Sequence, residues 1–222
     1  MRTTNERYSH ISFTGRLRVL GGKGKRASDM LVALFGIIIF IPIFTLIAVI
    51  SKLADPGPLI YSHVRVGLGG RLFRCFKFRT MVVDAEKRLD ALLDADPDAR
   101  AEWERSQKLT DDPRVTAVGR LLRRTSLDEL PQLINVARGE MSLVGPRPVS
   151  PSEIWRYGER VDLYFAARPG LTGLWQISGR SDCSYDERIE LDAKYVCEWS
   201  FLTDLSILLR TVGVVLNGRG VY

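Results

Sequence analysis

Histidine and cysteine are nearly missing from this chain: 222 residues hold only His10 and His63, with Cys75, Cys183 and Cys197. The cysteines lie far apart and form no CxxC pair, which argues against a zinc site or a disulfide framework and for reduced thiols. A Walker-type phosphate loop and a Rossmann glycine fingerprint are missing too, so any nucleotide must be recognised by side chains. No zinc-finger or RNP-like pattern accompanies the net charge of +6, so the basic residues do not read as a nucleic-acid surface. They suit a lipid surface or a phosphorylated small molecule.

Charge is missing altogether from the 21 residues between Met30 and Ile50, a run that would reach about 31 Å as a helix. No small-residue cleavage site follows it, which separates it from a secretory signal. Arg16, Arg18, Lys23, Lys25 and Arg26 precede the run, and Lys52, Arg65, Arg71, Arg74, Lys77 and Arg79 follow it. Two basic flanks both favour the cytoplasmic side, which a straight span cannot satisfy. Pro42 lies mid-run and removes one internal hydrogen bond. A re-entrant helix is the expectation and a spanning helix the alternative. The organisation expected is a flexible basic arm over 1–27, a membrane helix over 28–53 capped by Ser28 or Asp29, and a cytoplasmic catalytic domain over 54–222.

The fold class expected is α+β and mainly helical. Alternation over Leu59–Val66 and Arg71–Phe78, around Gly67-Leu68-Gly69-Gly70, predicts a small β-hairpin with a cationic face. Val82 to about Gln107 reads as a charged helical pair interrupted at Pro97. Short helices follow over Thr116–Arg124, Pro131–Ala137 and Ser152–Ala167, then an extended Thr172–Ser178. Helices over Tyr185–Trp199 and Asp204–Leu216 complete the chain. The last is apolar enough to lie in a bilayer interface or to be a core helix; both readings are open.

Asp128 and Glu129 stand side by side between Arg123-Arg124 and Pro131. An aspartate ionises near about 3.9, so at neutral pH it is an anion able to attack phosphorus or bind a metal. Repulsion between it and a diphosphate, on the order of 4 kcal/mol at about 4 Å, calls for the arginines or a divalent cation. The competing reading is a capping box from Ser126 to Glu129. Pro131 would then be the fifth helical residue, where its ring disrupts a bond; a later start leaves the pair on the lead-in segment.

Further cations are presented on stiff or permissive backbone. Lys77 and Arg79 lie two apart on one side of a strand. Arg147 is held between Pro146 and Pro148, a pre-organised clamp, and Arg168 and Arg180 stand beside Pro169-Gly170 and Gly179. With two carboxylates and a membrane anchor, these point to an anionic phosphorylated substrate.

These segments together resemble the bacterial sugar transferase family, the monotopic phosphoglycosyl transferases that begin glycan assembly on undecaprenyl phosphate. The resemblance runs from about Lys25 to the C-terminus. It rests on Lys77-Phe78-Arg79-Thr80-Met81, Asp112-Pro113-Arg114-Val115-Thr116, the Leu122–Leu133 stretch, Gly139 to Pro148, Arg168 to Gln176, and Ser178-Gly179-Arg180. The chain looks most like the short exopolysaccharide-initiating members associated with galactosyl- or glucosyl-1-phosphate transfer. The resemblance implies a ping-pong reaction in which Asp128 attacks the β-phosphate of a UDP-sugar and Glu129 helps hold Mg²⁺. Lys77, Arg79, Arg123, Arg147, Arg168, Gln176 and Arg180 are then the substrate-binding set. The expected partners are a UDP-sugar, undecaprenyl phosphate and the lipid bilayer, without nucleic acid and with a homodimer left open. The expected location is the cytoplasmic face of the bacterial inner membrane. One departure is Ile41 before Pro42, where family members with a broken membrane helix often carry serine. A single-displacement transferase and a non-enzymatic basic membrane scaffold are the alternatives. No residue reads which sugar is carried.

Overall fold

The computed structural model describes residues 19–106, 109–178 and 184–216. Helix α1 (Gly22–Ala54) starts after Gly21, whose left-handed φ of 68° suits glycine. It starts six residues before the expected 28, and Ser28 and Asp29 are inside it rather than at its cap. Residues 22–27 leave the arm because two of their cations have partners: Lys25 is buried against Asp204, and Arg26 donates to the carbonyls of Val136 and Ala137 at 2.6 and 2.8 Å. Residues 1–18, the rest of that arm, lie outside the described set.

Pro42 is inside α1, and Thr45 Oγ1 donates to the Ile41 carbonyl at 3.0 Å, a back-bond that tends to bend helices. Along one stripe, spaced three or four residues apart, Asp29, Ala33, Ile37, Phe40, Phe44 and Ile47 meet the rest of the molecule. Helix α1 therefore stays against the domain along most of its length. Its other face exposes Leu31, Phe35, Ile38, Leu46 and Leu53, an apolar patch too large for water contact to be its purpose.

Strands β1 (Ile60–Val66) and β2 (Leu72–Phe78) form the expected antiparallel hairpin, with Ile60 opposite Phe78 and Val66 opposite Leu72. Its turn uses Gly69 and Gly70 at positive φ. Helices α2 (Ala85–Ala95) and α3 (Pro97–Ser106) are the expected pair, parted at Asp96. Helix α4 (Ala117–Arg124) is capped by Thr116, whose hydroxyl accepts from Gly119 N at 2.9 Å. A 3-10 turn over Leu127–Glu129 leads into α5 (Gln132–Arg138).

Strand β3 (Ser142–Val144) pairs in parallel with β4 (Gly170–Thr172), a contact the sequence did not announce. Here two loops nearly touch: a Cβ on Gly145 would meet the Arg168 carbonyl oxygen at 2.3 Å, and one on Gly170 would meet Gly145 N at 2.1 Å. Between them, the helix expected over 152–167 is a 3-10 segment followed by α6 (Val161–Ala166). The break is Gly158, at φ 49°. The stretch 174–178, expected to be extended, is helix α7 (Leu174–Ser178). Then come α8 (Tyr185–Cys197), with a Ser184–Glu187 capping box, and α9 (Phe201–Leu216).

The main core joins Ala33 of α1, Leu133 and Val136 of α5, Leu143 and Val144 of β3, Tyr195 of α8 and Ile207 of α9. A second cluster packs Ile47, Phe78 and Leu122 directly under the acidic pair's turn. Each such side chain contributes on the order of 1.5–3 kcal/mol on burial. Helix α9 turns Ile207 inward and leaves Phe201, Leu202, Leu205, Leu209 and Val212 exposed, so it serves both readings at once, a core face and an apolar outer face. Cys75, its thiol pushed up to about 11 by burial, and Cys197 are both free; Cys183 lies outside the described residues.

Candidate active site

The acidic pair precedes α5, with Pro131 at the helix N-cap, as the proline implied. The capping box does not form: Ser126 makes no side-chain cap bond and takes φ 56°, the one non-glycine positive φ among the described residues. Left-handed backbone costs a serine roughly 1–2 kcal/mol. That strain turns the chain so that Asp128 points into the fold instead of along a helix surface.

Asp128 is 8% exposed. Lys77, at the end of β2, lies with Nζ 2.6 Å from Glu129 Oε1 and 3.7 Å from Asp128 Oδ2. Burial pushes the Asp128 carboxyl above its ordinary range, Lys77 and Arg123 pull it back, and Glu129 adds to the rise. Burial would lower Lys77, but Glu129 and Asp128 outweigh it and its pKa is raised. The ammonium thus stays charged.

Two devices fix this geometry. Fully buried Asn135 of α5 acts as an extra rung on β2: its Oδ1 accepts from Phe76 N at 3.0 Å and its Nδ2 donates to the Arg74 carbonyl at 2.7 Å. The strand carrying Lys77 is thereby pinned to the helix following Asp128. At the C-terminus of α4, Arg123 donates through Nε to Thr80 Oγ1 at 3.0 Å. Burial lowers its pKa against the attraction of Asp128 and Asp112, so a second cation stands within the field of Asp128.

Arg147 leaves the paired β3–β4 loops and feels the charge of Glu129. Its side chain is open to solvent although protein surrounds it closely, the condition of a group on the wall of a cleft. Burial lowers its pKa, and Arg188 lowers it further. Asp128, Glu129, Lys77, Arg123 and Arg147 thus converge.

The other expected residues divide. Arg79 closes on Asp55, with Nη1 2.8 Å from Oδ2 and Nη2 donating to the backbone carbonyl at 2.6 Å, so it ties β2 to the end of α1. Arg168 donates to the Gly139 carbonyl at 2.9 Å and braces the end of α5. Gln176, on α7, keeps a buried Oε1 without a hydrogen-bond partner among the described residues. Arg180 lies outside the described residues.

Asn135, Trp175, Arg188 and Asp192 were not anticipated. The available signal for the last two was spacing: Tyr185, Arg188 and Asp192 at i, i+3 and i+7 share one face of α8. Asp192 is almost fully buried; Tyr157 OH donates to its Oδ2 at 2.8 Å, and burial pushes its carboxyl up to about 7.

No group of three His, Cys, Asp or Glu is gathered as a metal cluster among the described residues. Two adjacent carboxylates are nonetheless the donor type that would help hold a Mg²⁺ carried chiefly by a substrate's phosphates, and Glu129 Oε1 already accepts a cationic neighbour, Lys77 Nζ at 2.6 Å.

The profile of the bacterial sugar transferase family matches residues 21–218. The chain is 48% identical over 209 residues to the exopolysaccharide production protein ExoY of Sinorhizobium fredii, covering 94% of this chain and 92% of that one. It is 53% identical over 199 residues to a UDP-galactose-lipid carrier transferase of Erwinia amylovora, covering 89% of this chain and 41% of the other. An undecaprenyl-phosphate galactose phosphotransferase of Salmonella typhimurium is 49% identical over 212 residues, or 93% and 44% of the two chains. The chain therefore spans less than half the length of the last two relatives.

Proposed function

The chain belongs to the bacterial sugar transferase family, and from that premise we propose that it transfers a sugar 1-phosphate from a UDP-sugar to undecaprenyl phosphate. The observation carrying this is the convergence at the acidic pair: Asp128, a buried carboxylate free of side-chain hydrogen bonds among the described residues, lies beside Lys77 and Arg123, and its neighbour Glu129 is felt by Arg147. The names of two relatives, a UDP-galactose-lipid carrier transferase and an undecaprenyl-phosphate galactose phosphotransferase, support the donor and the acceptor.

In the first step an Asp128 carboxylate oxygen attacks the β-phosphorus. The bond from that phosphorus to the bridging oxygen breaks, and UMP leaves with the electron pair. In the second, an oxygen of the lipid phosphate attacks the same phosphorus and the aspartyl–phosphorus bond breaks, restoring the carboxylate. Lys77 and Arg123 stabilise charge gathering on the transferring phosphate, where a preorganised cation costs no reorganisation. Lys77 is positioned to exchange Glu129 for phosphate oxygens as the donor enters. Glu129 would hold Mg²⁺, which supplies further neutralisation of the phosphates.

The chain is read as monotopic, with its site at the cytoplasmic membrane face. Supporting this, α1 packs on the domain at Ala33 and again at Ile47, so neither half departs on its own. The outer face of α1 and the exposed stripe of α9 are the surfaces a bilayer would cover.

The test is to incubate purified protein with UDP-glucose, UDP-galactose or N-acetylated donors and Mg²⁺, without lipid acceptor. Roughly stoichiometric UMP, with acid-stable label retained on the protein, is the result expected. Single displacement gives no UMP until undecaprenyl phosphate is added, and that outcome would remove Asp128 as nucleophile.

A further inference from the structure

Beyond Arg147 runs a ladder of cations and rings. The Trp175 ring centre is 4.9 Å from the Arg147 guanidinium carbon and 5.7 Å from that of Arg188, and Arg188 in turn lies 3.9 Å above the Tyr185 ring. Arg156 also lies 4.5 Å from the Tyr185 ring centre, so three guanidinium groups share this corner, and none makes an ion pair among the described residues. The Nε and Nη2 of Arg188, Trp175 Nε1 and Tyr185 OH are buried without hydrogen-bond partners among those residues.

Buried donors left unmade cost roughly 1–3 kcal/mol each, more when charged, so a cluster of them marks a place built for something else. Two acids border the corner, and neither pairs with its arginines: Glu153 feels Arg188 but engages Arg65 and Ser150 through Oε2. Asp192 has one oxygen bonded to Tyr157, the other unpartnered, and a carboxyl raised by burial to about 7. The mutual repulsion of Arg147 and Arg188 is felt in the depressed pKa of Arg147. The chemistry that answers such a set of donors is an anion with several acceptor oxygens.

The ladder is also ordered. Asp128 takes the phosphorus that is attacked; Arg147 stands next, feeling Glu129 on one hand and Arg188 on the other; Arg188, on α8, shares the Trp175 ring with it. A diphosphate laid along it puts its second phosphate toward α8. Resting on the two-step reading above, we propose that Arg188 grips the phosphate of the departing nucleotide, so that α8 supplies the leaving-group half of the site. Its planar fork offers two donors to two oxygens of one phosphate, stabilises the negative charge the bridging oxygen gains, and holds UMP until release. Trp175 and Tyr185 keep the guanidinium face-on and shield it from water.

The experiment is a comparison of UMP with uridine, which lacks the phosphate, on the full-length protein in nanodiscs at fixed ionic strength, by ligand-observed NMR. Arg188→Ala is expected to weaken UMP by about ten- to a hundredfold, the loss of a charge-assisted contact, and to leave uridine unchanged. Arg188→Lys, which keeps charge but not the fork, is expected to fall between. Asp128→Asn is expected to retain UMP affinity. Equal losses of UMP and uridine in Arg188→Ala and Arg188→Lys would reduce Arg188 to a structural prop and overturn the proposal, as would unaltered UMP affinity in both. Either failure alongside UMP release by the unmodified protein leaves the transferase reading standing; no UMP from any UDP-sugar takes down that reading and this one together.

Discussion

Two lysines in this molecule each face two carboxylates, at nearly the same distances. Lys25 lies 2.5 Å from Asp204 and 3.8 Å from Asp29; Lys77 lies 2.6 Å from Glu129 and 3.7 Å from Asp128. The first set is sealed, with side chains of Lys25, Asp29 and Asp204 at 6%, 8% and 12% exposure, whereas Lys77 and Glu129 are each at 37%. In the sealed set the remaining oxygens are taken: Ser142 OH donates to Asp29 at 2.7 Å, and Tyr195 OH and Trp199 Nε1 donate to Asp204 at 2.7 and 3.1 Å. In the open set Asp128 accepts from no side chain among the described residues at hydrogen-bond distance. Identical charges thus do opposite work. Full satisfaction makes a lock between α1 and α9; partial satisfaction beside water leaves affinity for a ligand.

The comparison breaks most sharply under an aspartate-to-asparagine change at each site. Asp128→Asn should cut UMP release and lipid-linked product by on the order of 10⁴-fold or more, with membrane association and melting temperature preserved. Asp204→Asn should do the reverse, lowering the melting temperature while each folded molecule keeps its rate. Activity measured per folded molecule, alongside thermal melts, separates the two. Substantial turnover in Asp128→Asn would mean that the open set is another structural pair.

Lys25→Met leaves Asp29 and Asp204 buried without their cation, a loss expected to be about 3–5 kcal/mol. The rate per folded molecule should stay within about twofold, because the two sets do not share partners. A loss of rate with no loss of stability would show that the lock belongs to the catalytic machinery.

Acidity tests the open set next. In the proposed reaction Asp128 attacks as an anion, and its pKa is raised by burial, so UMP release should fall about tenfold per pH unit below a point above the ordinary aspartate value. Lys77 lowers that pKa, so Lys77→Met should move the acid limb to higher pH as well as weaken donor binding. The stability sign is opposite to that of a salt-bridged aspartate. A raised folded pKa means that the folded chain holds the proton more tightly, so this carboxyl's contribution is present below the unfolded pKa and lost as pH rises through the folded one.

How much of this was legible depended on where a residue's partner lies. The hairpin followed from alternation and its glycines, and the pair's place ahead of α5 followed from Pro131, because both signals are local. Lys25 and Arg26 read as a loose arm because their partners are 179 and 110 residues away. Arg79 matched Lys77 in spacing, but Asp55 claims it across the end of α1. Arg188, flanked by Asp186 and Glu187, carries no local signal of a site beyond its spacing. Only packing against Trp175 and Tyr185 sets it apart. Extended structure was expected over 172–178, yet Gly170 and Gly173 serve the close approach of the β3 and β4 loops and the chain passes directly into α7.

The smallest effect concerns backbone instead of charge. Lys25 and Asp29 are carried by an ordinary helix, while Asp128 follows Ser126 at φ 56°. Ser126→Gly relieves roughly 1–2 kcal/mol of left-handed strain, but glycine frees the unfolded chain by about 0.4–1 kcal/mol. The net gain in stability should therefore be about 0.5 kcal/mol, visible as a melting temperature equal to or slightly above that of the unmodified protein. The same change loosens the turn that aims Asp128, and misplacement of a reacting group is costly, so UMP release should fall severalfold with little change in donor affinity. Lower activity at undiminished stability would identify the strained serine as a positioning device. Unchanged activity would mean that Asn135, Thr80 and the core under Leu127 hold the carboxylate without it.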